Sequence, residues 1–278
     1  MSPAPARERS HGSGHHSRSH GGRGKDRRPT SPRTRAYGPL VGEFAAPGAA
    51  QSPHKAGHAA ERTRAAAPRP VPHTDPVSTR RPTRWEARVA ADPQHSHWYT
   101  DRFRRMRADG ADLAGEARFV DAMVPRGARI LDAGCGPGRV GAELHARGHA
   151  VVGVDVDPVL IDAARHDHPG PDWRVGDIAE LDLVADGVEP FDVIVCAGNV
   201  MTFLAAGSEQ DALSRMAAHL APGGRIAVGF GAGRGYPFDR FHDDVTAAGL
   251  RTELTLATWD LRPFTADSDF LVAVLGLR

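Results

Sequence analysis

The chain has 278 residues, and its 35 Lys and Arg nearly balance 34 Asp and Glu, for a net charge of +1. The balance hides a split: residues 1–84 hold 16 of the basic and 5 of the acidic groups, a net of +11, which leaves −10 for residues 85–278. That acidic remainder disfavours a nucleic-acid groove, which brings its own basic stripe; no segment approaches the ~18 apolar residues of a membrane span, and two cysteines make no disulfide framework, so a reducing, cytoplasmic setting is expected.

The opening "MSPAPARERSHGSGHHSRSHGGRGKDRRPT" contains no Leu, Ile, Val, Phe or Trp, and Pro, Gly, Ser, His and Arg dominate to about Thr83. Such a segment cannot bury enough apolar surface to offset the entropy of ordering, so residues 1–84 are expected to form a disordered basic arm. An arm of this kind can hold nucleic acid or an anionic surface through counterion release. Its "HGSGHHSRSH" lacks the ligand spacing of a closed metal site, and no metal is expected. Residues 85–278 are expected to form one domain, with 85–125 as an N-terminal helical part.

Within that part, "HSHWYTDRFRRMRADG" carries Tyr99, Phe103 and Met106 at helical spacing and predicts an amphipathic helix ending near Gly110. A second helix is predicted from about Asp112 to Met123. Strands and helices then alternate. "ARILDAG" reads as a strand, "RVGAELHARG" as a helix and "AVVGVDV" as a buried strand. "DPVLIDAARH" is a helix with Asp157 as its N-cap and Pro158 at the first helical position. "DWRVGD" and "FDVIVCAG" are strands, the latter of the continuous apolar kind found at a sheet's centre. "SEQDALSRMAAHLAPGG" is a helix, with Ser208 and Asp211 resembling a capping box, and "RIAVGF" is a strand. A helix with Phe238, Phe241 and Val245 on one side precedes "TELTLATW" and "DFLVAVLGL". The connection between these two strands is too short for a crossover helix, so they are antiparallel. The pattern predicts an α/β fold: a Rossmann-like, seven-stranded, mostly parallel sheet with helices on both faces and a reversed last strand.

The chemistry concentrates in "LDAGCGPGRV", where Gly134, Gly136 and Gly138 follow the first strand and precede a helix. Glycines there let the backbone turn tightly and approach a ligand, with a helix N-terminus facing the same place. The dinucleotide fingerprint G-x-G-x-x-G would put its third glycine at Arg139; here it falls on Gly138, so the fingerprint fails by one residue.

The strand ending in an acid followed by G-x-G-x-G resembles motif I of the class I S-adenosylmethionine-dependent methyltransferases. The resemblance runs in order along nearly all of residues 97–278, and "DAGCGPGRVG", "GNVMTFL" and "DLRPFTADSDFLVAV" look like a group of small bacterial members. It implies S-adenosyl-L-methionine as cofactor, with the N-terminal helical part, residues 85–125, as a lid over it. The loop Asp132, Ala133, Gly134, Cys135, Gly136 and Gly138 would cradle the methionine part, with Asp132 orienting it. Asp155, with Val156 beside it, would accept from both ribose hydroxyls. Asp177 would accept from the adenine amino group, with Ile178 packed on the ring. Ala197, Gly198 and Asn199 would line the cofactor beneath the methyl group. Cys135 reads as a small loop residue rather than a nucleophile.

Methyl transfer needs alignment and exclusion of water more than acid–base residues, in keeping with the lack of a catalytic triad in the sequence. After the fourth strand "AGNVMTFL" lacks the prolines and aromatic of the N-P-P-Y-like run carried by many methyltransferases of bases and amides. Candidates for the acceptor wall are His97, Trp98 and Tyr99 on the first helix, Arg234 and Tyr236 after the fifth strand, and Arg262, Phe264 and Asp269 around the last hairpin. The leading reading is a methyltransferase with a small-molecule acceptor. The alternatives are an RNA methyltransferase holding its substrate through residues 1–84, and a non-catalytic regulator that binds S-adenosylmethionine.

Overall fold

The computed structural model describes residues 80–278; the expected basic arm lies, apart from its last five residues, outside the described residues. Three helices come first: α1 (Arg84–Ala91), α2 (His95–Ala108) and α3 (Gly115–Asp121). Then follow β1 (Arg129–Ala133), α4 (Arg139–Ala146), β2 (Ala150–Asp155), α5 (Pro158–Asp167), β3 (Asp172–Val175) and β4 (Phe191–Cys196). The chain ends with α6 (Glu209–Ala218), β5 (Leu220–Gly231), α7 (Phe238–Ala247), β6 (Leu250–Leu256) and β7 (Phe270–Leu277). The strands form one seven-stranded sheet in the order β3-β2-β1-β4-β5-β7-β6. The first five run parallel to one another, and β7 lies antiparallel between β5 and β6.

Strand periodicity divides the core. Ile130, Val193, Val195 and Val272 join Phe119 and Val120 of α3 and Val140 and Leu144 of α4 on one face. Leu131, Ile194, Ile226 and Leu271 join Leu213 and Met216 of α6 and Phe241 and Val245 of α7 on the other. Near β3, the indole of Trp173 packs with Ile161 and Ala164 of α5.

The helical start departs from expectation. Helix α1 was not foreseen; Thr83 and Glu86 close a capping box around its first turn, and Trp85 is its buried anchor. Arg80 and Thr83 already contact the domain, ahead of the expected start at Trp85. Helix α3 is shorter than the predicted Asp112–Met123, because the Asp112 carboxylate accepts from the Ala114 N–H and from Arg118 and holds a turn before it. Ser208 does not close a capping box: its hydroxyl donates to the Ala205 carbonyl. Asp157 does cap α5, accepting from the Val159 N–H at 2.8 Å. Residues 220–224, read as the end of α6, are the first residues of β5, and Leu220 pairs with Phe191.

Candidate functional site

The loop after β1 is held from both sides. The Gly134 and Cys135 N–H groups donate to the Val154 carbonyl at 2.8 and 3.0 Å. The Gly136 N–H donates to Asp155 Oδ2 at 2.8 Å, and the Asp157 N–H donates to Asp155 Oδ1 at 2.9 Å. Asp132 Oδ2 accepts from the Gly141 N–H in α4 at 2.8 Å, tying the end of β1 to the helix that follows. Burial raises both carboxyls, Asp155 to about 6 and Asp132 to about 7. Burial also pushes the Cys135 thiol well up, which suits a packing residue and not a thiolate nucleophile.

The three motif glycines face different things. A Cβ on Gly134 would stand 2.4 Å from a Val200 methyl, and one on Gly138 would stand 3.0 Å from Trp173 and from Ala164. A Cβ on Gly136 would meet only the Tyr99 ring, at 3.7 Å. Gly136 is therefore the member that opens the loop toward a ligand; the outer two make room for the protein's own side chains. All three have positive φ, between 53° and 83°.

Gly134, Cys135, Gly136, Asp132, Asp155, Val156, Asp177, Ile178, Ala197 and Gly198 line one cavity of about 90 Å³. Of the other expected cofactor residues, Ala133 and Gly138 do not line it, and Asn199 lines a second cavity instead. Aromatic rings roof the first cavity. Trp85 packs against Tyr99 at 5.2 Å and Phe203 at 5.6 Å, and Tyr99 against Phe103 at 5.1 Å. Asp157 latches this roof: its Oδ2 accepts from Trp85 Nε1 at 2.8 Å and from the Ser96 hydroxyl. Asp177 Oδ1 accepts from the Ala179 N–H at 2.9 Å, and its Oδ2 accepts from Arg80 at 2.8 Å.

The second cavity measures about 810 Å³, within the range of small-molecule sites. Tyr99, Phe103, Arg139, Gly198 and Phe203 line both cavities, so the two share a wall. Arg139 is fixed in that wall by a fork-to-fork pair with Glu116, at 2.7 and 2.5 Å. Beyond it the lining is largely apolar, with Phe119, Met123, Trp259 and Phe270. Trp259 and Phe119 meet edge to face at 5.4 Å. At the upper edge Asn199, in the left-handed region at φ 68°, accepts the Gly231 N–H on its Oδ1 at 2.8 Å.

Of the expected acceptor residues, Tyr99, Arg234 and Asp269 line the larger cavity. His97 and Trp98 are exposed on α2 and line neither cavity. Tyr236 is buried, donates to Asp244 and stacks on Phe230, and Phe264 packs on Phe238; both serve the core by α7. Arg262 is exposed and lines neither cavity. Sequence reasoning missed Trp85, Phe119, Arg139, Phe203 and Trp259. For Trp259 there is a signal: Gly229 lies inside an apolar central strand, and a Cβ there would stand 2.4 Å from the indole. Among the described residues no cluster has the makings of a metal site, and no helix is long and apolar enough to cross a membrane.

A seven-stranded sheet with a reversed strand beside its edge, a glycine loop after β1 and acids closing the next two strands define a class I methyltransferase framework. Residues 130–224 match the family model described as a methyltransferase domain. The crystal structure of a TehB-like SAM-dependent methyltransferase from Corynebacterium glutamicum is 47% identical, with a TM-score of 0.64 over 67% of this chain and 100% of that one. The chain belongs to the S-adenosylmethionine-dependent methyltransferases. Among curated relatives, a ubiquinone biosynthesis O-methyltransferase from Xylella fastidiosa is 36% identical over 40% of this chain and 45% of its own length. A ribosomal protein L11 methyltransferase from Symbiobacterium thermophilum is 37% identical over 58% of this chain and 47% of its own. The chain thus spans a little under half the length of these two relatives.

Proposed function

We propose that this chain transfers a methyl group from S-adenosylmethionine to a small molecule held in the larger cavity. One observation carries the reading: a cavity of about 810 Å³, mostly apolar, adjoins the glycine-loop cavity across a shared wall that includes Gly198, at the end of β4. The donor set of the smaller cavity fits the cofactor. Gly136 offers an open backbone face, and Asp155 and Asp177 supply carboxylate oxygens at the ends of β2 and β3. The cavity of about 90 Å³ is smaller than ordinary small-molecule sites, and on this reading the rings that roof it, Trp85, Tyr99, Phe103 and Phe203, make way for the cofactor.

When bound, the cofactor supplies a methyl group on a positively charged sulfur. The residues of this chain then have three tasks. Asp155 and Asp177 hold the nucleoside end; the aromatic roof excludes water; the walls of the larger cavity aim the acceptor atom. Tyr99 reaches both cavities, and its hydroxyl bonds to nothing among the described residues. Burial raises its phenol, so it acts as a hydrogen-bond donor and not as a base.

Calorimetry with S-adenosylmethionine and a screen of metabolite pools for S-adenosylhomocysteine formation test the reading. Tight binding and product with a small-molecule fraction are expected. Binding without product from any fraction would replace the enzyme with a regulator, and product only with RNA would move the acceptor to a polymer.

A further inference from the structure

The larger cavity carries a charge signal beyond its size. Among its lining arginines, Arg102 stands over the Phe103 ring at 6.0 Å, Arg139 is paired with Glu116, Arg118 with Asp112, and Arg225 donates to the Met123 carbonyl at 2.6 Å. Arg234 differs. It is half-buried, and among the described residues its guanidinium forms no ion pair and no hydrogen bond. Its position is nonetheless built. Gly231 lacks the Cβ that would stand 3.2 Å from Arg234 Nε and 3.6 Å from Asn199 Oδ1, so arginine, amide and strand end converge on one spot.

The amide adds a second donor. Because Asn199 Oδ1 accepts the Gly231 N–H, its NH₂ group is left for another partner, and it finds none among the described residues. Asn199 is buried and lines the cavity, next in the chain to Gly198 of the shared wall. Asp269 lines the same cavity, but its side chain is exposed and makes no ion pair with Arg234; its carbonyl is taken by the Ala232 N–H at 2.8 Å. Two donors without a partner among the described residues, one of them charged, therefore line the cavity together with Phe119, Trp259 and Phe270.

Resting on the methyltransferase reading above, we infer that the acceptor is an anion with an apolar body. Its oxyanion group sits on Arg234 and the Asn199 amide, and its ring or chain lies against Trp259 and Phe119. An acceptor molecule with no oxygen there would leave both donors without a partner once water is displaced, and an anionic oxygen pairs the guanidinium charge as well. Arg234 is here a specificity residue: it sets which molecules enter and in which orientation, and it takes no proton in the transfer.

Two fluorescent probes separate charge from shape. 8-Anilinonaphthalene-1-sulfonate has an aromatic body with a sulfonate; N-phenyl-1-naphthylamine is the same body without it. Both are titrated into the full chain saturated with S-adenosylhomocysteine. Arg234→Gln is expected to weaken the sulfonate probe about tenfold, the worth of one charge-assisted hydrogen bond, and to leave the neutral probe unchanged. Arg234→Lys should restore much of the loss, and Trp259→Ala should weaken both probes. Unchanged sulfonate affinity in Arg234→Gln, or an equal loss for both probes, would overturn the inference. Failure of the methyltransferase reading shows separately, as absence of heat when S-adenosylhomocysteine itself is titrated into the unmodified chain.

Discussion

Gly134 and Val200 interlock: a Cβ on the glycine would stand 2.4 and 2.5 Å from the two valine methyls. Val200 follows Asn199 directly after β4, so this contact sets the spacing between the loops that leave β1 and β4. Those loops supply the floor of the smaller cavity. Gly134→Ala should destabilise the fold by about 1–3 kcal/mol through overpacking, plus about 1 kcal/mol for its left-handed backbone. In a double-mutant cycle measured by urea unfolding, Val200→Ala should recover the overpacking part and not the backbone part.

Trp85→Phe tests the latch. The change keeps most of the ring but removes the indole N–H that donates to buried Asp157 Oδ2. A loss of about 1.5–3 kcal/mol is expected for a hydrogen bond to a charged group. Hydrogen exchange should show faster opening in α1 and α2 with the sheet unchanged. Equal protection of both helices in the variant and the parent would remove Asp157 as the latch.

Asp132 gives a pH dependence of known sign. Its folded-state carboxyl is raised to about 7, against an ordinary value of 3.8, because it is buried. The folded chain therefore binds more protons than the unfolded chain between about pH 4 and 7, and stability falls as pH rises through that window. Asp132→Asn keeps an oxygen for the Gly141 N–H and carries no charge. It should gain stability over the parent progressively from pH 4 to 7, by a few kcal/mol, with the difference flat above. Asp155, raised to about 6, contributes in the same direction over a narrower range. Chemical denaturation at a series of pH values checks the slope.

Glu116→Gln should damage the shared wall through Arg139. Glu116 and Arg139 have side chains only 10% exposed, and the pair closes with both carboxylate oxygens. Removing one partner leaves a buried guanidinium uncompensated, which costs about 3–5 kcal/mol. Thermal unfolding measures the loss, and the Glu116→Gln/Arg139→Met double variant should recover part of it.

The parallel sheet and its reversed strand were legible because apolar runs, turn residues and connection lengths are local signals. Ile130 and Leu131 tell which faces are buried, and the short span between β6 and β7 forbids a crossover. The glycine loop after β1 was legible as a motif, but the reason for each glycine was not. Gly138 is required by Trp173, and Gly134 by Val200, and neither partner is near in sequence. The larger cavity was least legible, because tertiary contacts build it. Phe119 comes from α3, Trp259 from the β6–β7 connection and Arg234 from the loop after β5, and the helical spacing of His97 and Trp98 says nothing about which side faces the sheet. Helix α1 escaped notice because one buried tryptophan, not a repeated apolar face, secures it.

Tyr99, Phe103 and Phe203 face both cavities, so a movement of these rings reshapes both compartments at once. On the proposed function, the ligand that enters first displaces these rings and the second finds them already displaced. Linkage makes the benefit equal in both directions: an acceptor that tightens cofactor binding by some factor has its own binding tightened by the same factor. On that reading, dissociation constants measured for either ligand alone understate its affinity in the ternary complex, and calorimetry of each ligand with and without the other checks it.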